Sequence, residues 1–176
     1  MDIYQKSFKR FLYESWLELE EEYRKGNVYP RHENDIICYL YHALAKRFNV
    51  KGFPLHWIKT EDTYTLKGGQ LRPDMNLRDR VFVEVKIYPL REYKEGWKRR
   101  QAGIEYTVDK LKQYVDYQKK NSRNLVRQPV LAIWFRKRGE KPNNRLFIGE
   151  SLEELLEKEK ERYSKEATIL FGPKNS

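Results

Sequence analysis

Apolar residues recur at three- and four-residue steps over two stretches in the first third of the chain. Phe8, Leu12, Trp16, Leu19 and Tyr23 form the first stripe. It predicts a helix over residues 2–24, stopped by Gly26. Pro30 opens a second helix running to about Phe48, with Ile37, Leu40, Tyr41, Leu44 and Phe48 on one face. Gly52 and Pro54 break the chain there, and the period changes to two. A strand is expected near Leu55–Thr60, then a polar loop or hairpin through Gly68 and Gly69.

Leu71–Leu77 and Val81–Tyr88 both alternate and read as strands. In the second, Val81, Val83, Val85 and Ile87 share one face, and Phe82, Glu84, Lys86 and Tyr88 share the other. Residues 89–103 read as a basic loop. A helix to about Lys120 follows, with Ile104, Val108, Leu111 and Val115 as its core stripe. Residues 121–128 read as a polar loop, 129–136 as a buried strand and 145–149 as another. A capping box over Ser151–Glu154 opens a short charged helix, and residues 167–171 form an edge strand.

This order predicts an α/β (α+β) layer fold, with a mixed central sheet of four to five strands flanked by helices. Residues 1–176 are expected to form one domain. Its parts are an N-terminal helix (1–25), a core (31–138) and a strand–helix–strand extension (139–176).

The hairpin register has a chemical consequence. A three-residue loop at Arg78-Asp79-Arg80 pairs Leu77 with Val81, Met75 with Val83 and Pro73 with Val85, so the apolar pairs share one face. Asp74 then faces Glu84. Directly opposed carboxylates repel unless a cation joins them. Lys86 follows on the same face. One reading is a solvent-facing sheet side with an ordinary Glu–Lys pair. Phe82 and Tyr88 beside it argue for a covered face, and so for a site holding a divalent cation such as Mg²⁺ or Mn²⁺. Glu33 stands four residues before Ile37 and extends the apolar stripe of the second helix into its first turn. It reads equally as a dipole-compensating first-turn residue or as a third carboxylate of that site.

Charge sharpens the picture. Of 176 residues, 35% are charged, and the formal net charge is +10. Residues 86–138 carry 15 Lys and Arg against 5 Asp and Glu, whereas the segments on either side are near neutral. Such a local excess suits a phosphate backbone. Candidate contacts are Lys94, Lys98, Arg99, Arg100, Lys110, Lys119, Lys120, Arg123 and Arg127. Trp97 among them could stack on a base. The single cysteine, Cys38, excludes an intrachain disulfide framework and a four-cysteine metal site. His32, His42 and His56 lack metal-ligand spacing. There is no signal-peptide pattern and no apolar run of membrane-spanning length, so a soluble, cytoplasmic protein without a membrane partner is expected.

Pro73-Asp74, nine intervening residues and Glu84-Val85-Lys86 together resemble the signature of the PD-(D/E)XK nuclease superfamily. Glu33 is similar to the acidic residue that this superfamily carries on its first core helix. Gln113-Tyr-Val-Asp-Tyr117 resembles the Q-x-x-x-Y element of RecB-type members. The matching stretch runs from Glu33 to Tyr117, about half the chain. The resemblance implies a restriction-endonuclease-like core in the order αβββαβ and a Mg²⁺-dependent deoxyribonuclease, with Mn²⁺ as a substitute. It implies Asp74, Glu84, the Val85 carbonyl and Glu33 as metal ligands, and Lys86 as the group that orients water and offsets phosphate charge. Gln113 and Tyr117 would position the substrate or Lys86. DNA is the expected partner ahead of RNA, and a homodimer would suit two-strand cutting. The alternative is a non-catalytic nucleic-acid-binding protein on the same fold.

Overall fold

The computed structural model describes residues 3–61, 63–66, 69–89, 94–121, 128–136 and 152–173. Helix α1 (Ile3–Arg24) buries the stripe Phe8, Leu12, Trp16 and Leu19. Helix α2 (Glu33–Val50) buries Ile36, Ile37, Leu40, Leu44 and Phe48. The two helices lie side by side on one face of a five-stranded sheet.

Strand β1 (Ile58–Thr60) is followed by a separate two-stranded hairpin, β2 (Tyr64–Leu66) and β3 (Gly69–Leu71). Strands β4 (Met75–Leu77) and β5 (Val81–Pro89) come next, then helix α3 (Lys94–Asn121). Strand β6 (Gln128–Arg136), helix α4 (Leu152–Arg162) and strand β7 (Thr168–Gly172) complete the described elements. The main sheet has the order β1-β4-β5-β6-β7. It is antiparallel from β1 to β5 and parallel from β5 to β7, so the class is α+β with a mixed sheet between helices.

Alternation along β5 assigns each side chain to a layer. Val81, Val83 and Val85 join the core under α1 and α2, together with Val130, Ala132 and Trp134 of β6. Trp134 meets Trp16 and Tyr23 edge-on at 5.6 and 5.2 Å between ring centroids. Phe82 joins the opposite core with Ile104, Val108, Leu111 and Tyr114 of α3, and with Ile169 and Phe171 of β7. The face that carries Glu84 is therefore covered by a helix.

Several boundaries differ from the expected ones, each for a local reason. Helix α2 starts at Glu33 rather than at Pro30, because Asp35 accepts the backbone N–H groups of Arg31 and His32 at 2.7 and 2.9 Å and fixes the first turn there. These bonds hold the Asp35 carboxyl below its usual pKa. Asp35→Ala is expected to cost about 1 kcal/mol in urea unfolding at pH 7. A depressed carboxyl stabilises only while ionised, so the difference from wild type should shrink as pH falls below 4.

The expected 55–60 strand begins as a 3₁₀ turn at Leu55–Trp57, after Pro54, and only Ile58–Thr60 pairs. The expected 71–77 strand divides between β3 and β4 around Pro73, which has no N–H to give to a ladder. Helix α3 starts at Lys94, so the segment expected as a basic loop is helical from that residue on. Gly103 does not end it. It is a close-approach position, where a Cβ would come within 2.8 Å of the Tyr88 hydroxyl. On α3 the last core position is Tyr114, and Val115 is only half-buried. The expected 145–149 strand and the Ser151 cap lie outside the described residues, and α4 begins at Leu152.

Candidate active site

The β4–β5 hairpin builds the centre. Its ladder runs Leu77↔Val81, Asn76↔Phe82 and Met75↔Val83, the register that the three-residue loop demands. Arg78 and Asp79 in that loop take positive φ values of 46° and 57°. Asn76 and Asp79 secure this conformation. The Asp79 N–H donates to Asn76 Oδ1, and Asn76 Nδ2 donates to Asp79 Oδ1, both at 2.7 Å.

The ladder stops one pair short of Asp74↔Glu84. Asp74 sits in a bend after Pro73, and its Oδ2 accepts the Val85 N–H at 2.6 Å. The side chain takes the bond that a backbone carbonyl would otherwise have made. This draws the Asp74 carboxylate over β5 beside Glu84. Burial pushes the Asp74 pKa up to about 6, and the Glu84 charge adds to the shift. The Val85 N–H and Lys86 act against them, and Glu33 adds a smaller upward push.

Glu84 is the most deeply buried charge of the group, at 2% exposure. Its Oε1 accepts Lys110 Nζ at 2.5 Å and lies 3.5 Å from Lys86 Nζ. Its Oε2 is buried and has no hydrogen-bond partner. Lys86 also reaches both oxygens of Glu33 at 3.5 Å. Burial opposes the Lys86 charge, but Glu84, Glu33 and Asp74 outweigh it and hold that pKa above its usual value.

The structure therefore brings Glu33, Asp74, Glu84 and Lys86 into one electrostatic cluster, from α2, the bend before β4, and β5. Glu33 is turned to Lys86 and does not close with Asp74 and Glu84 into a three-carboxylate cage. Among the described residues no three His, Cys, Asp or Glu side chains are grouped to hold a metal by themselves. The donors that remain are Asp74, Glu84 with its vacant buried oxygen, and the Val85 carbonyl. That set fits Mg²⁺ or Mn²⁺, which need only one or two carboxylates when waters and substrate phosphate fill the other positions.

Two residues enter the site that sequence spacing placed elsewhere. Lys110, taken as a backbone contact, spends its ammonium on Glu84. Tyr114, hidden inside the Q-x-x-x-Y stretch, is buried against Phe82 at 5.5 Å between ring centroids. Its hydroxyl lies by the Arg72 backbone N–H. Burial, with the Glu84 and Asp74 charges, pushes the Tyr114 phenol pKa upward. Both residues became legible only once α3 was known to cross the Glu84 face, because Lys110 and Tyr114 lie one turn apart there.

Gln113 is exposed and Tyr117 half-buried, on the outer side of α3. Lys98, Arg99, Lys119 and Lys120 are exposed along the same helix. Arg100 is buried at 5% exposure, near Tyr88. The early start of α3 puts it on the inner face with Ile104, Thr107 and Leu111, so it is withdrawn from the surface contacts. Arg123, Arg127 and the side chains of Lys94 and Trp97 lie outside the described residues. No helix among the described residues is long and apolar enough to cross a membrane.

Comparison with known proteins adds no relative: no family model, curated protein or solved structure matches the chain.

Proposed function

We propose that the chain is a metal-dependent deoxyribonuclease with a restriction-endonuclease-like core and a PD-(D/E)XK active site. The observation that carries this reading is the Glu84 carboxylate. It is buried and lies beside a second carboxylate whose pKa is pushed to about 6. Two carboxylates buried side by side repel each other, and a divalent cation between them would relieve that repulsion. The element order α2, β1, β4, β5, α3, β6, with the acidic strand at the centre, supports the same reading.

In this reading Asp74 and Glu84 hold Mg²⁺ together with the Val85 carbonyl, and Glu33 acts through water. When bound, the ion supplies an activated water and stabilises charge on the scissile phosphate. Lys86, tied to Glu33 and Glu84, keeps its ammonium protonated and directed at the phosphate position, where negative charge grows. Phe82 and Tyr114 wall the inner side of the site and exclude bulk water, which strengthens these electrostatic terms. The exposed cations of α3, from Lys98 to Lys120, span about 33 Å of helix and track the DNA backbone.

The test is incubation of labelled linear and circular DNA with the protein, in Mg²⁺, in Mn²⁺ and in chelator. Cutting is expected only with metal. Survival of the circle then marks an exonuclease, and its nicking an endonuclease. Salt-sensitive DNA binding with no cutting in either metal would replace this reading with a nucleic-acid-binding module. Absence of binding would remove both.

A further inference from the structure

Glu84 has more cationic company than the proposed chemistry uses. Lys86 belongs to the same strand and divides its ammonium between Glu33 and Glu84, at 3.5 Å from each. Lys110 comes from α3 and makes the shorter contact, 2.5 Å to Glu84 Oε1. A carboxylate buried this deeply needs a close positive charge, and the Lys110 ammonium lies closer to it than that of Lys86. Its side chain keeps 27% of its surface exposed, so the ammonium has a route to water. The Tyr114 ring centroid lies 5.9 Å from the same nitrogen and offers it a second resting place. A lysine stem is flexible, and its head is a point charge without a fixed fork, so it can trade partners.

We infer that Lys110 is a tethered counter-ion of Glu84 that competes with a divalent cation for the charge of that carboxylate. The inference rests on the metal-site reading and deepens it. Lys110 neutralises Glu84 and competes with metal for the charge of the same carboxylate. Among the described residues, the other charged groups that act on the cluster are Asp74, Glu33 and Lys86, and none of them can replace it. Asp74 and Glu33 have the wrong sign, and Lys86 is already shared.

The experiment is Mn²⁺ binding without DNA, followed by calorimetry and by the electron paramagnetic resonance signal of free Mn²⁺. The proteins are wild type, Lys110→Met, Lys110→Gln and Glu84→Gln. Lys110→Met keeps the apolar stem, and Lys110→Gln keeps a hydrogen-bond donor should loss of the charge unfold the first variant. Both are expected to bind Mn²⁺ about tenfold more tightly than wild type, because a close competing charge is gone. Glu84→Gln is expected to lose the binding.

Binding in wild type that depends on Glu84 but is unchanged or weakened in both Lys110 variants would overturn the inference and leave the metal site standing. No binding in wild type, with binding in a Lys110 variant, would support the inference in its strongest form. No binding in any protein would overturn the inference and the metal site together.

Discussion

Glu84→Gln is expected to leave a protein that still binds DNA and cleaves it at least about a thousandfold more slowly at any Mg²⁺ concentration. The substitution preserves shape and leaves one oxygen to accept from Lys110. It removes the anionic charge and turns the vacant acceptor position into an amide donor. It should also lower stability by about 1–3 kcal/mol, because Lys110 and Lys86 lose the buried countercharge that they face. Lys86 and Lys110 can swing toward water, each side chain being 27% exposed, which keeps the cost below that of a fully buried broken pair. Cleavage within tenfold of wild type would exclude Glu84 as a metal ligand.

Asp74→Asn should lose cleavage to a similar degree while moving stability the other way. The fold raises the Asp74 pKa from 3.8 to about 6, so the native state resists ionising this group. For a carboxyl the sign follows directly. The folded protein binds the proton more tightly than the unfolded chain, so stability falls as pH rises from about 4 to 6, and the loss is complete above that range. Asparagine has no charge to desolvate, and its carbonyl oxygen can still accept the Val85 N–H. In chelator at pH 8, Asp74→Asn should be about 2 kcal/mol more stable than wild type, taking two pKa units at 1.36 kcal/mol each and discounting for partial exposure. At pH 4 the two proteins should converge. Urea unfolding at both pH values measures this, and equal stability at pH 8 would remove the argument that Asp74 is held in strain for function.

The sequence made the hairpin legible because its register has one solution that keeps the apolar pairs together, and Met75↔Val83 follows from it. The bend at Asp74 was not legible. Alternation treats Asp74 as a ladder residue, whereas Pro73 ends the pairing and the carboxylate substitutes for a backbone acceptor. The helical stripes of α1 and α2 could be read because large apolar residues mark them. The start of α3 could not, since Lys, Arg and Gln suit an exposed helix as well as a loop. That difference put Arg100 among the expected surface contacts. The position of Lys110 opposite Glu84 depends on how a helix crosses a sheet, which no local spacing encodes.

The switch of β5 from an antiparallel neighbour to a parallel one also orders events during folding. Asp74, Glu84 and Lys86 lie within one short stretch closed by a three-residue turn, so they can meet while the rest of the chain is open. Lys110 must wait for the long crossover that returns the chain to β6. The nascent hairpin therefore gathers two carboxylates against one ammonium, and α3 arrives carrying the charge that it lacks. Assembly of the second core onto the first thus involves the same charged residues that the finished molecule gathers around Glu84.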